Sequence, residues 1–121
     1  MRLIRTSRLT AFLVVTLAIG VGLAPAARCR ADDITSKAAL ESLTKILARA
    51  LAPKIRVNAI APGFVLQSDI VPPAEWERLI GRVPLKRPAR PEEITSALEF
   101  LLKNEYVTGQ TIVVDGGYSL I

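Results

Sequence analysis

The clearest pattern in the sequence is an amphipathic stretch in which apolar residues recur at three- and four-residue spacing. That period is typical of a helix with one buried face, and we predict a helix from Ser36 to Leu51, ended by Pro53. The apolar positions are Leu40, Leu43, Leu47 and Leu51, and the charged residues opposite them are Lys37, Glu41, Lys45 and Arg49.

An alternating stretch and a long connection follow this helix. The segment IRVNAI, residues 55–60, alternates apolar and polar positions and predicts a short strand, which the Pro62-Gly63 pair ends. Residues 64–90 form a connection whose length is typical of a lid or binding loop, with a short helix expected over 73–80. Trp76 in that helix is either a lid residue over a substrate or a plain hydrophobic anchor.

The last third of the chain repeats the order of helix and strand. Pro91, followed by two glutamates, predicts the start of a helix that ends near Lys103. Residues 109–117 predict a turn, a buried strand with Val113 and Val114 in the core, and a glycine turn. This order indicates an α/β crossover unit. Two parallel strands are too few for a stable sheet, so we expect an incomplete portion of a doubly wound parallel sheet.

The first 30 residues differ from the rest. Three arginines precede the uncharged run 9–27, and the small residues at 24–26 resemble a signal-peptidase site. We predict an apolar N-terminal helix in a leader, residues 1–30, followed by a body, residues 31–121. The alternatives are a cleaved signal peptide, a retained membrane anchor through 9–27, a mitochondrial presequence or an accidental N-terminus. The first two favour export or anchoring over the cytoplasm.

Charge and composition exclude several classes of function. Five of the 16 basic residues precede Asp32, so the remaining 11 balance the 11 acids, and the body lacks the basic stripe that nucleic-acid binding requires. The sequence has one cysteine and no histidine, which excludes a disulfide within the chain and every histidine-based triad, and disfavours a zinc site.

Four motifs resemble the C-terminal part of short-chain dehydrogenase/reductases. In order, they are SKAAL, RVNAIAPG, PEEI and TGQTIVVDGG, within a match from Thr35 to Ile121. The segments LAPKIRVN, residues 51–58, and VPLKRPARPEEI, residues 83–94, look most like pteridine-reductase-like members. The resemblance implies a Rossmann-like sheet, NAD(P) as cofactor and hydride transfer to a small carbonyl or pterin-type substrate. It also implies a cytoplasmic location, so the localisation stays open between this and the export or anchoring that the leader suggests.

The resemblance also implies roles for individual residues. Lys37 matches the lysine that contacts the nicotinamide ribose and lowers the pKa of the catalytic tyrosine. Pro62 and Gly63 match the turn beside the nicotinamide, and Val65 the residue whose backbone approaches the carboxamide. Gln67 stands where many members have a threonine that contacts the cofactor. The substrate-covering loop corresponds to residues 66–80, and residues 115–117 to a turn near the subunit interface.

The chain departs from the family pattern at three places. Asp33 stands where the catalytic tyrosine is expected, the position of the catalytic serine falls near Gly20, and the glycine-rich cofactor loop is absent from the sequence. An aspartate is ionised at neutral pH and donates no proton to a developing alkoxide. We therefore expect a truncated, impaired enzyme. The alternatives are a non-enzymatic exported or anchored module, and a fragment that forms homo-oligomers or docks on an intact homologue.

Without the resemblance, Lys37 reads as a solvated lysine paired with Glu41, one helical turn away. Asp33 then reads as a chance residue or as a cap at the start of the helix.

Overall fold

The computed structural model describes residues 12–16, 28–67 and 69–121, with side chains for 36–67 and 69–121. A 3-10 turn, Tyr118–Leu120, follows the last strand. In chain order the strands and helices are β1 (Phe12–Thr16), α1 (Arg28–Leu51), β2 (Arg56–Pro62), α2 (Pro73–Arg82), α3 (Pro91–Lys103) and β3 (Thr111–Val114).

The described strands form one parallel sheet in the order β1-β2-β3. The central strand β2 carries a buried run that includes Val57, Ala59 and Ile60, as expected for a parallel strand covered on both faces. Helix α1 packs on β2, and α3 packs on both β2 and β3. The predicted α/β architecture is confirmed, because helices cover a parallel sheet whose strands are joined by crossovers.

Strand β1 lies inside the segment that we expected to be an apolar helix. Its five residues pair with Arg56–Ile60 of β2, so the helix prediction is wrong for Phe12–Thr16. A short apolar run does not distinguish a helix from a buried strand, and the β-branched Val14, Val15 and Thr16 favour a strand. Residues 1–11 and 17–27, on which the leader prediction otherwise rests, lie outside the described residues. None of the helices that the structure describes has the length and apolarity to cross a membrane.

Helix α1 begins at Arg28, eight residues earlier than predicted, and ends at Leu51 as predicted. Asp33 therefore lies in the second turn, and its interpretation as an N-terminal cap is wrong. Thr44 and Ala48 are buried, whereas Leu43, on the predicted apolar face, is 46% exposed. The helix packs through small residues because Ala48 lies close to Gly109, where a Cβ atom would come within 3.3 Å of the alanine Cβ.

Helix α3 has the predicted bounds and packs through Leu101, which is 1% exposed. Polar side chains of β2 bind the segment that follows it. The Asn58 amide donates to the carbonyl of Val107 and accepts from the N–H of Gln110, both at 3.0 Å. These bonds fix the approach to β3. The core prediction is wrong for Val113, which is 51% exposed, because β3 is an edge strand of the described sheet.

Candidate functional site

Lys37 and the turn after β2 lie at the same edge of the sheet. Strands β2 and β3 end at Pro62 and Val114, which are paired in the register. Helix α1 returns from this edge toward the start of β2, so Lys37 in its N-terminal half lies beside the second half of β2. Ligands of open parallel α/β sheets bind outside the carboxyl ends of the strands, and this edge is therefore the candidate site.

Half-buried Lys37 lines a cavity of about 20 Å³ between α1 and the sheet. The Thr111 hydroxyl is buried there and has no hydrogen-bond partner among the described residues. This volume accommodates a water molecule but no substrate. The sequence analysis did not predict Thr111 as a site residue. Thr111 is placed there by its pairing with Ala59 across the sheet, which the sequence does not show. The cavity is lined by Lys37, Leu40, Glu41, Ala59, Ile60, Ala61 and Thr111.

The Pro62-Gly63 turn is packed against the end of β3. The Gly63 N–H donates to the Val114 carbonyl at 2.9 Å. A Cβ atom on Gly63 would lie 2.7 Å from the Asp115 Cα, closer than non-bonded carbon atoms approach. The turn therefore requires glycine, and this packing explains the proline-glycine pair that the sequence shows after the strand.

The remaining predicted site residues follow this turn or precede Lys37. Val65 is half-buried, and Gln67 is exposed with its amide donating to the Val71 carbonyl at 3.2 Å. Asp33 lies in α1, one helical turn before Lys37, and its side chain lies outside the described part of the chain. The structure thus brings Lys37, Pro62 and Gly63 to one edge, while Gln67 hydrogen-bonds the start of the next segment.

That next segment, residues 71–85, contains the predicted short helix and is called the lid segment below. Helix α2 covers the predicted range and extends to Arg82. Trp76 makes an edge-to-face contact with Phe64, with ring centroids 5.8 Å apart. The contact supports the anchoring role of Trp76, and a role over a substrate stays a prediction.

A second hollow of about 610 Å³ lies at the end of α3 and includes the fully exposed Tyr106. Because α3 returns against the strand direction, this hollow lies at the amino ends of the strands, away from Lys37. It is broad and open, so it does not compete with the site. Among the residues described, no group of three His, Cys, Asp or Glu side chains is arranged to hold a metal ion.

A family model described as enoyl-(acyl carrier protein) reductase matches residues 14–119. The chain belongs to the short-chain dehydrogenase/reductase family. The match begins upstream of Thr35, where the motif resemblance started, and includes most of β1. The predicted family is confirmed, and NAD(P) is the cofactor that membership implies.

Relatives include pterin and carbonyl reductases. Carbonyl reductase family member 4 of Danio rerio is 41% identical over 87 residues, which are 71% of this chain and 36% of the relative. Dihydromonapterin reductase of Klebsiella pneumoniae is 36% identical over 85 residues, 70% of this chain and 35% of the relative. The chain therefore spans about a third of the length of these relatives.

A solved structure agrees with these relatives. The FolM alternative dihydrofolate reductase 1 of Brucella suis, solved in complex with NADP, superposes with a TM-score of 0.67 at 44% identity. The superposition covers 72% of this chain and 35% of that one. The likeness is consistent with the pteridine-reductase-like subgroup suggested by the motifs.

Proposed function

We propose that this chain forms the nicotinamide side of an NAD(P)-dependent reductase site for a small carbonyl or pterin-type substrate. The observation that carries the proposal is the position of Lys37 and the Pro62-Gly63 turn at one carboxyl edge of the sheet. The identity to carbonyl and dihydromonapterin reductases supports the substrate class.

The residues at this edge fit the nicotinamide end of the cofactor. Gly63 and Val65 are half-exposed beside the carboxyl end of β2. In this proposal, Lys37 binds the ribose hydroxyls, while the backbone of Pro62, Gly63 and Val65 and the Gln67 amide surround the nicotinamide. NAD(P)H, when bound, supplies a hydride to the substrate.

The proposal includes impaired catalysis by these 121 residues. Asp33 precedes Lys37 by one helical turn, at the position of the family tyrosine. A tyrosine of pKa ~10, lowered by a lysine, exchanges a proton near neutrality, whereas an aspartate of pKa ~4 is already ionised. The site therefore lacks a proton donor for the substrate oxygen, and we expect cofactor binding without efficient turnover.

An NMR titration of the full chain with NADPH tests both parts. We expect the Gly63 amide to shift with NADPH, and this shift to be lost in Lys37→Met but kept in Lys45→Met, whose lysine is exposed on the same helix. The absence of any shift in the unchanged chain would contradict the cofactor role. Saturable oxidation of NADPH with a ketone or dihydropterin would contradict the impairment.

A second candidate function is a non-enzymatic binding or oligomerisation module, which would include the predicted exported or anchored forms. Its support is the exposed apolar surface of α1, where Leu43 is 46% and Ile46 is 62% exposed. Contiguous apolar surface of this kind marks interaction sites. Light scattering distinguishes this candidate, because it measures self-association. The module is favoured if the chain self-associates, if Leu43→Glu and Ile46→Glu abolish the self-association, and if NADPH has no effect on it.

A further inference from the structure

We propose that the carboxyl-terminal turn, residues 115–118, is a positioning element that holds the lid segment, residues 71–85, against the candidate site. The inference is independent of the proposed function, because it concerns the position of the lid segment in the chain without ligand. It rests on contacts that join the turn to both the lid segment and the Gly63 turn.

The backbone of the turn is packed directly on the end of the lid segment. The Gly116 carbonyl accepts a hydrogen bond from the N–H of Leu85 at 3.2 Å. Gly116 and Gly117 both have positive φ. A Cβ atom on Gly116 would lie 2.8 Å from Cγ1 of Val83. A Cβ on Gly117 would lie 3.0 Å from Cγ of Pro84. The glycine pair thus permits a close approach that side chains would prevent.

An aromatic cluster makes the second connection. The Phe64 ring contacts Tyr118 at 5.0 Å and Trp76 at 5.8 Å, both edge-to-face. Phe64 directly follows Gly63, and its carbonyl accepts a hydrogen bond from the Ala89 N–H at 2.8 Å. Phe64 therefore joins the carboxyl-terminal turn, helix α2 of the lid segment and the turn after β2 in one contact network.

The lid segment depends on these contacts because its helix has no core of its own. Helix α2 contains no buried residue. The buried residues of the segment are Val71, before the helix, and Val83, after it, at 6% and 1% exposure. Segments with few buried apolar contacts open locally at low free-energy cost, so loss of one contact at Val83 or Trp76 changes the open population measurably.

Asp115 gives the turn its shape. Its carboxylate accepts hydrogen bonds from the N–H groups of Gly117 at 2.8 Å and Ser119 at 2.7 Å. Partial burial alone would raise the pKa of Asp115, but the bonds from Ser119 and Gly117 outweigh it and keep the pKa below its ordinary value. The turn is therefore ordered by an ionised carboxylate at neutral pH.

Trp76 is the only tryptophan in the sequence, so its fluorescence reports on the lid segment alone. In the full chain, we expect Tyr118→Leu and Asp115→Asn to shift Trp76 emission to longer wavelength and to increase quenching by acrylamide. Tyr118→Phe, which keeps the ring, should restore the native emission. Tyr106→Leu, at a fully exposed tyrosine, should have no effect. Circular dichroism confirms that each variant is folded.

Hydrogen exchange supplies a second readout. In Tyr118→Leu, the amides of α2 should exchange about 2- to 10-fold faster, the range expected for loss of one edge-to-face pair, while those of α3 stay unchanged. Unchanged emission, quenching and α2 exchange in both folded variants would overturn the proposal. A further test needs no variant. In the unchanged chain, the proposal would be overturned if conditions that speed up exchange of the Tyr118 and Leu120 amides left the exchange rates of the α2 amides unchanged.

Discussion

Helices α2 and α3 are neighbours in one connection, yet they are held in different ways. Helix α3 buries Leu101. The Arg56 guanidinium donates to the carbonyls of Leu101 and Leu102 in its last turn, and to the carbonyl of Val107 in the segment that follows. Helix α2 buries no residue and is held by contacts beside it and at its ends. The difference teaches that an amphipathic pattern alone does not decide whether a helix becomes part of the core.

The largest expected effect is at the centre of α3. Replacing Leu101 by alanine removes a side chain that is 1% exposed, and we expect a loss of about 2–5 kcal/mol in the free energy of unfolding. Leu102→Ala, whose leucine is 45% exposed, is the matched control and should cost about 0.5 kcal/mol or less. Urea denaturation measures both, and equal losses would contradict the packing difference.

The C-terminal anchor of α3 comes next. In Arg56→Met the stem remains but the three donated bonds, at 2.9 to 3.3 Å, are lost. We expect a loss of about 1.5–3 kcal/mol, as for hydrogen bonds to a charged group. Arg49→Met, at an exposed arginine of α1, is the control for the loss of charge. A variant as stable as this control would show that the guanidinium does not anchor the helix.

The N-terminal end of α3 provides a prediction of pH dependence. Hydrogen bonds from the Arg87 guanidinium and then the Arg90 N–H lower the pKa of Glu93 to about 2. Because the folded pKa lies below the ordinary value, this stabilisation is present above pH ~4.3 and is lost as the pH falls toward 2.

In Arg87→Gln, the pKa of Glu93 should therefore rise and the acid-unfolding midpoint should move to higher pH. Carboxyl NMR titration measures the pKa, with Glu99, which pairs with Lys103 at 2.8 Å, as an internal control. An unchanged Glu93 pKa would show that Arg87 is not its main partner.

The smallest effect is expected in α2. A Cβ on Gly81 would meet no atom within 4 Å, so Gly81→Ala should stabilise the helix by about 0.5–1 kcal/mol. Because α2 buries no residue, we expect it to open locally, and its amides should then exchange about 2- to 5-fold more slowly without a matching rise in global stability. Gly117→Ala, at φ +88, should have the opposite effect. A rise in the urea midpoint with Gly81→Ala would show that α2 unfolds together with the core.

Local signals predicted some elements well. The start of α3 follows from Pro91 and its end from Lys103, and a short helix was expected over 73–80, within α2. Strand β1 was not predicted, because its β-branched residues are a weak local signal within a longer apolar run and its pairing with β2 is a tertiary contact. For the candidate site, the motifs predicted Lys37 and Gly63 as site residues. They did not predict the pairing of Thr111 with Ala59 or the Phe64 contacts with Trp76 and Tyr118, because these join residues far apart in sequence.

By itself, the sequence determined the family, the α/β order of elements and the residue types at the candidate site, because these depend on spacing and local backbone preference. Only the tertiary structure decided which residues are buried, that Gly63 is required by its contact with Asp115, and that the carboxyl-terminal turn contacts the lid segment. The physical reason is that burial and close contact are set by segments that meet in space, and the same apolar pattern is compatible with an exposed or a packed surface.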